Sequence, residues 1–244
     1  MPRFFVAASN IFGGTAYISA EETEHFRALR INKGECITVC DGAGTEYVCR
    51  IKDVSPSGTE AEIISSAPSE REPSIYCTVY AAMSKGDKLD TVVQKAVELG
   101  ASGVVVFPSK RCVSRPDEKT LIKKTSRLQK IAEEAAKQSE RGIIPLVSVA
   151  PSFSAAVEGA ARADMPLFCY EDEHTVGIKG ALESKPGFRS CSIFTGPEGG
   201  FEIEEAELAK SAGMISVSLG ARIMRCETAP LAALAAVMFH TGNM

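Results

Sequence analysis

The sequence has few of the features that mark membrane or secreted proteins. Its 244 residues contain no tryptophan. They also contain no apolar run of about 18 residues, the length that a membrane-spanning helix needs. The first six residues lack the long apolar core of a secretory signal peptide. We therefore expect a cytoplasmic protein that has no membrane partner.

The cysteines and histidines do not form a metal-binding pattern. None of the eight cysteines belongs to a Cys-x-x-Cys pair, and the three histidines are scattered along the chain. Zinc sites usually show closely spaced ligands. The sequence thus predicts no metal site, and it favours reduced cysteines that pack as small hydrophobic side chains.

Glycine motifs that bind phosphates are also missing. No Gly-x-Gly-x-x-Gly follows the first strand of the alternating strand and helix pattern, and no Gly-x-x-x-x-Gly-Lys-Ser/Thr occurs anywhere. These motifs hold the phosphates of dinucleotides and nucleoside triphosphates. Their absence argues against a nucleotide-dependent α/β enzyme acting on a small molecule, the alternative that the strand and helix pattern alone would suggest.

Charge is distributed unevenly along the chain. The net charge of −4 argues weakly against a nucleic-acid partner. However, residues 71–150 carry 14 lysines and arginines against 9 aspartates and glutamates, whereas both flanking regions are acidic. A basic segment of this kind suits a face that binds phosphates, and a solvated helix face is the competing interpretation.

Two kinds of pattern divide the chain. Short β-like runs and turns fill residues 3–65, with one helix predicted over 19–31 and capped by Ser19. From residue 75 onward, apolar strands alternate with helices, which predicts a parallel α/β sheet. The polar, proline-flanked stretch 65–74 is typical of a linker. We therefore predict a small β-barrel domain over residues 1–68 and an α/β domain over residues 74–244.

Two loops in the α/β domain concentrate glycine and charge. Residues 195–201, here called the glycine turn, read TGPEGGF, and residues 218–228, here called the arginine loop, read SLGARIMRCET. Each follows a short apolar run, as does a third loop at 170–172. Ligands of open α/β sheets bind at the carboxyl ends of strands, and glycine lets a ligand approach the backbone closely. An ordinary strand-to-helix turn is the alternative for the glycine pair alone.

The two loops together resemble a known family. GPEGGF followed by LGxRIxRxETA resembles the SPOUT methyltransferases, and more narrowly the ribosomal RNA small subunit methyltransferase E family. Further segments match in order, so that the resemblance spans essentially the whole chain; they are HFRALR at 25–30, KGD at 85–87, ELG at 98–100, SKRCV at 109–113 and EAA at 134–136. Cys226 stands where threonine is common in the family, and Lys110 stands where glutamate is common.

The resemblance implies a fold and an activity. It implies a PUA-like RNA-binding domain at residues 1–68 and a SPOUT domain with a deep trefoil knot at 74–244, although periodicity gives no sign of a knot. It also implies a homodimer that uses S-adenosylmethionine to methylate N3 of a uridine in 16S rRNA, in the decoding region of the 30S subunit. A non-catalytic RNA-binding assembly factor on the same scaffold is the alternative, and the intact LGARIMRCETA argues against it.

The resemblance assigns the cofactor to residues of the three loops, acting largely through backbone groups. These residues are Tyr170, Glu171, Thr195, Gly196, Gly200, Leu219, Gly220, Ile223, Met224 and Ala229. Core packing is the alternative for Leu219, Ile223 and Met224.

The remaining assignments concern catalysis and RNA. Arg225 would stabilise or position the uracil, because a guanidinium stays charged. Glu171, Glu198 and Glu227 are candidate bases by chemistry and position, and the last two could instead stabilise helix N-termini. The residues implied to bind RNA phosphates are basic: Arg27, Arg30, Lys85, Lys110, Arg111 and Arg141.

Overall fold

The structure, a computed structural model, describes residues 1–114 and 116–244, except for the side chains of residues 24, 25, 27 and 28. Two motif residues, His25 and the predicted RNA contact Arg27, therefore lie outside the described side chains. The chain forms two compact units. One comprises Met1–Glu72 with Ala136–Ile144, and the other comprises Pro73–Ala135 with Pro145–Met244.

The first unit is a six-stranded sheet with one helix. Its elements are β1 (Arg3–Phe5), β2 (Ile11–Phe12), β3 (Thr15–Ser19), α1 (Ala20–Leu29), β4 (Cys36–Cys40), β5 (Thr45–Ser55) and β6 (Gly58–Pro68). The strand order is β1-β4-β5-β6-β3-β2, antiparallel except for the parallel pair β1 and β4. The Oγ of Ser19 accepts the N–H of Glu22 at 3.3 Å, so the predicted cap of α1 is confirmed.

The structure corrects two details of the sequence analysis in this unit. Strands β2 and β3 were not predicted, because the short hairpin 11–19 shows only a brief alternation of apolar residues. The predicted linker at 65–74 begins too early, since β6 continues to Pro68, which pairs with Thr45 of β5. Residues that look polar and exposed in the sequence thus extend a long hairpin.

The second unit alternates strands and helices, as predicted. Its elements are β7 (Tyr76–Ala82), α2 (Lys88–Glu98), β8 (Gly103–Phe107), α3 (Glu118–Gln138), β9 (Leu146–Val149), α4 (Phe153–Ala160), β10 (Met165–Cys169), α5 (Ile178–Ser184), β11 (Ser190–Thr195), α6 (Ile203–Ser211), β12 (Ile215–Val217) and α7 (Ala229–His240). All strand pairs are parallel, in the order β12-β10-β11-β7-β8-β9. The predicted parallel sheet is confirmed.

The strand order brings the three loops together. Strand β10 lies between β12 and β11, so these three strands end side by side. The loop at 170–172, the glycine turn and the arginine loop therefore leave the same edge of the sheet. Below them every residue of β10 is buried, which gives the loops a rigid base.

The described part of the chain contains no helix that is both long and apolar enough to cross a membrane. Within the same residues, no group of three or more His, Cys, Asp or Glu side chains is arranged to hold a metal ion.

Candidate functional site

The three loops surround a cavity of about 610 Å³. This volume lies within the range of roughly 300–1,000 Å³ that small-molecule sites occupy. The wall includes all ten residues to which the sequence analysis assigned the cofactor, namely Tyr170, Glu171, Thr195, Gly196, Gly200, Leu219, Gly220, Ile223, Met224 and Ala229. Arg225 lies in the same wall. The structure thus brings the predicted cofactor residues and the predicted catalytic arginine into one place.

The glycine turn is shaped by close packing. Gly200 has a φ of +72°, and a Cβ at this position would lie 1.9 Å from the Oε1 of Glu171. A Cβ at Gly196 would lie 2.9 Å from the ring of Phe201. That ring is 3% exposed and packs against Phe168 with centroids 4.8 Å apart. Glycine is therefore needed at both positions, and Phe201 anchors the turn in the core.

Glu171 fastens the turn from the neighbouring strand. Its Oε1 accepts the backbone N–H of Phe201 at 2.8 Å. Its Oε2 has no hydrogen-bond partner among the described residues. One oxygen of Glu171 thus holds the turn, and the other is available to a ligand.

Arg111 holds the turn from the loop after β8. Its Nη1 donates to the carbonyl of Gly199 at 3.0 Å. Its Nε and Nη2 donate to the two carboxylate oxygens of Glu202 at 2.9 and 3.2 Å. Arg111 was assigned to RNA phosphates by resemblance, but in the structure its guanidinium is engaged with the glycine turn and lines the cavity.

The acidic start of α6 explains why the loop after β8 is in place. Glu202 caps α6 in a reciprocal pair with Glu205, whose Oε2 accepts the N–H of Glu202 at 3.1 Å. Glu205 is only 5% exposed, and it also accepts the N–H of Lys110 at 2.8 Å and the Oγ–H of Ser109 at 3.1 Å. A buried carboxylate thus fixes the loop that carries Arg111.

Lys88, which the sequence analysis did not single out, contacts both principal loops. Its Nζ lies 2.9 Å from the Oε1 of Glu198 in the glycine turn and 3.9 Å from the Oε2 of Glu227 in the arginine loop. Burial by itself would raise the pKa of Glu198, but the hydrogen bond from Lys88 helps to hold that pKa below its usual range. Glu198 also accepts the backbone N–H of Lys85 at 3.4 Å, so it lies at the start of α2, as expected for a carboxylate beside a helix N-terminus.

Glu227 is also held as a carboxylate. The hydrogen bond from its own backbone N–H is the largest cause that lowers its pKa, and the thiol of Cys226 adds a further bond at 3.3 Å. The pKa of that thiol is raised to about 11, chiefly by burial. Cys226 therefore keeps its proton at neutral pH and donates it to Glu227.

The arginine loop differs from the glycine turn in its exposure. Arg222 and Arg225 are exposed, and neither guanidinium has a hydrogen bond or ion pair with another described residue. Ile223 is 84% exposed, which excludes core packing for this side chain within the unit. Gly220 has a φ of +110° and no atom within 4 Å of the place where a Cβ would be, so this side of the residue is open, whereas its N–H donates to the Oγ of Ser218 at 3.2 Å.

The remaining predicted RNA contacts are not among the residues that line the cavity. Lys85 and Arg30 are exposed, and Lys110 is an exposed residue whose Nζ lies 3.2 Å from the Oε2 of Glu204. Arg141 is 4% exposed, and its Nε donates to the carboxylate of Glu72 at 3.2 Å. Because its guanidinium is buried in this ion pair, Arg141 serves the fold of the first unit, and its assignment to RNA is corrected.

The cavity wall also contains residues that sequence reasoning did not assign to the cofactor. Most are neighbours within the same three loops, such as Asp172, Pro197 and Ser218, and treating each loop as a whole would have included them. Lys88 is different, because it comes from the first turn of α2. No local pattern connects it with the loops.

Comparison with known proteins gives consistent matches along the chain. Residues 70–238 match the family model of the RNA methyltransferase domain, and residues 18–64 match that of the RNA methyltransferase PUA domain. The chain is 34% identical over 232 residues to ribosomal RNA small subunit methyltransferase E of Bacillus subtilis, covering 93% of this chain and 91% of the relative. It is 30% identical to the protein of the same name from Synechocystis, covering 96% and 76%.

Solved structures of similar proteins agree over nearly the full length. One is a ribosomal RNA small subunit methyltransferase E from Neisseria gonorrhoeae bound to S-adenosyl methionine, with a TM-score of 0.83, 31% identity and coverage of 98% of this chain and 97% of that one. Another is a putative methyltransferase from Legionella pneumophila in complex with the same cofactor, with a TM-score of 0.86, 26% identity and coverage of 98% and 97%.

Proposed function

The chain belongs to the ribosomal RNA small subunit methyltransferase E family of SPOUT methyltransferases, and we propose that it methylates N3 of a uridine in the decoding region of 16S rRNA. The methyl donor is S-adenosylmethionine. The observation that carries this proposal is the cavity between the glycine turn and the arginine loop, whose wall contains every residue assigned to the cofactor together with the exposed Arg225.

The cavity suits this cofactor in size and in chemistry. The wall contains four glycines from two of the loops, and a glycine lets a ligand approach backbone polar groups closely; they are Gly196, Gly199, Gly200 and Gly220. The residues that would hold the cofactor are those of the three loops already named. When bound, S-adenosylmethionine supplies an electrophilic methyl group on a positively charged sulfonium.

Arg225 and Glu171 have the catalytic roles in this proposal. N3 of uridine carries a weakly acidic proton, so the enzyme must remove that proton and stabilise the resulting anion. Arg225 stays ionised and would stabilise negative charge on the uracil. Glu198 and Glu227 have lowered pKa values and bound partners, which makes them weak proton acceptors. Glu171, with one oxygen not used by the fold, is therefore the proposed base.

The wider proposal concerns partners and organisation. The substrate is 16S rRNA within the 30S subunit, and phosphates would contact exposed basic residues, among them Arg30, Lys85 and Lys110. Arg27 remains a further candidate. The enzyme would act in the cytoplasm as a homodimer with its site completed across a knotted interface. The domain limits at 1–68 and 74–244 and the trefoil knot belong to the same proposal, which involves no metal.

A transfer assay tests the proposal. The protein is incubated with labelled S-adenosylmethionine and 30S subunits from cells that lack the endogenous enzyme, and the nucleosides are identified by mass. Label in 3-methyluridine is the expected result. Label in another nucleoside would keep the methyltransferase and contradict the proposed target. Binding to the subunit without any label would favour the non-catalytic assembly factor.

A further inference from the structure

We propose that Lys88 is a positioning residue that holds the glycine turn and the arginine loop at a fixed spacing around the cofactor. This inference rests on the proposed function of the cavity. Lys88 is the first residue of α2, and its side chain is 30% exposed. The carboxylates of Glu198 and Glu227 that face it are also only partly exposed, at 26% and 24%.

The geometry joins three separate parts of the second unit. The ammonium of Lys88 bonds to Glu198 at 2.9 Å and lies 3.9 Å from Glu227. Glu198 also accepts the backbone N–H of Lys85 at 3.4 Å, just before α2 begins. The neighbouring residues Leu89, Val92 and Val93 are buried, so the helix that presents Lys88 is fixed in the core. The lysine therefore ties two loops to a rigid element.

The charges around Lys88 indicate that its ammonium affects the spacing of the two loops. Two carboxylates from different loops face the same ammonium, and they would repel each other without it. An isolated surface ion pair contributes little to stability. Here, however, the partners belong to the two loops that form much of the cavity wall. Loss of the ammonium would therefore change the spacing of these loops, and so the fit of the cofactor, more than the stability of the fold.

Four variants test the inference. Lys88→Met removes the ammonium, Lys88→Arg keeps a cation that can bridge two carboxylates, and Lys88→Met with Glu198→Gln removes the repulsion as well. Lys95→Met is the matched control, because Lys95 lies on the same helix and pairs only with Glu98 of that helix at 2.8 Å among the ion pairs of the described residues. Calorimetry gives the Kd for S-adenosylmethionine, and transfer assays give the KM for cofactor and for 30S subunits.

The expected results separate positioning from folding. Lys88→Met should raise the Kd and KM for the cofactor by about tenfold, the size of a modest coupling between sites, and leave the KM for 30S subunits unchanged. Lys88→Arg should restore the wild-type values, and the double variant should recover part of the loss. The control should match the wild type. Thermal unfolding of every variant shows whether a loss of binding reflects a loss of fold.

This experiment gives different results when the inference about Lys88 is wrong and when the proposed function is wrong. If the wild type binds cofactor and Lys88→Met binds it equally well, the inference is overturned and the function stands. If Lys88→Met unfolds, the Lys88→Arg and double variants are used to judge the inference. A Lys88→Arg variant that folds but binds the cofactor tenfold more weakly would overturn it. If the wild type itself does not bind S-adenosylmethionine, the proposed function fails and the inference fails with it.

Discussion

The glycine turn and the arginine loop line the same cavity, but they are held in different ways. The glycine turn is fixed by side chains from three other elements, since Glu171 accepts the N–H of Phe201, Arg111 donates to Gly199 and Lys88 pairs with Glu198. Among the described residues, the contacts that fix the arginine loop to other elements lie near its ends, and they include the pair of Glu227 with Lys88. Ser218 exchanges backbone hydrogen bonds with Val176 and Ile178, and the carbonyl of Arg225 accepts the N–H groups of Thr228 and Ala229.

This difference indicates that the two loops have different roles in binding. A backbone turn that is already in place binds a ligand without the cost of ordering it. The exposed guanidinium groups of the other loop, which have no hydrogen bond within the described residues, remain available for groups that arrive with the substrate. In this account the glycine turn serves the cofactor, whereas the arginine loop contacts the cofactor through residues such as Gly220 and presents Arg225 to the uracil and its negative charge.

The largest expected effect comes from the arginine loop. Arg225→Ala should lower the rate of methyl transfer about 100- to 1,000-fold, the usual effect of removing one group that stabilises a developing anion. The Kd for S-adenosylmethionine should change little. Arg222→Ala, on the same loop, is the matched comparison and should cost far less. Equal losses in the two variants would show that the loop acts by bulk charge, and the special role of Arg225 would be lost.

The next effect comes from the glycine turn. Gly200→Ala places a methyl group against Glu171 in a backbone with a φ of +72°, so we expect loss of cofactor binding and a fall in the free energy of unfolding of about 1–3 kcal/mol. Gly187→Ala is the control, because Gly187 has a φ of +75° with no atom within 4 Å of the added Cβ. Calorimetry and urea denaturation measure both variants. Wild-type cofactor affinity in Gly200→Ala would contradict the described turn.

A variant of Arg111 distinguishes a role in cofactor binding from a role in RNA binding. Arg111→Ala removes three charged hydrogen bonds around Gly199 and Glu202, so the glycine turn loses its attachment to the loop after β8. The structure therefore predicts a rise in the KM for S-adenosylmethionine of about tenfold or more. A rise in the KM for 30S subunits alone would restore the RNA role that the resemblance assigned to Arg111.

The smallest expected effect is a pH dependence at Glu173, close to the first residue of the arginine loop. Hydrogen bonds from the side chain and backbone of Thr175 lower the pKa of Glu173 from about 4.5 to about 2, and the next residue, Val176, bonds to Ser218. Because the folded pKa is depressed, this stabilisation is complete above about pH 4.5 and is lost as the pH falls towards about 2. An NMR titration should place the Glu173 carboxyl midpoint near 2, and a midpoint near 4.5 would contradict the contact.

Much of this fold and site could be predicted from local patterns. Apolar runs separated by turn residues predicted the parallel sheet. Because neighbouring strands of that sheet end side by side, loops that are far apart in sequence come together. The residues that the resemblance assigned to the cofactor are clustered within the loops, so the structure brings them into one cavity wall. Three contacts instead join residues that are distant in sequence: the pair of Lys88 with Glu198, the pair of Arg141 with Glu72 and the bond of Arg111 to Gly199. No period or spacing in the sequence indicates such contacts.

The most direct test of the account is a crystal structure of this protein with S-adenosylmethionine. The account predicts that the cofactor lies between the glycine turn and the arginine loop, against the backbone of Gly196, Gly200 and Gly220. The hydrogen bonds of Glu171 and Arg111 to the glycine turn should be unchanged, whereas the arginine loop is free to shift. A cofactor bound elsewhere, or a glycine turn that must rearrange to receive it, would contradict the account.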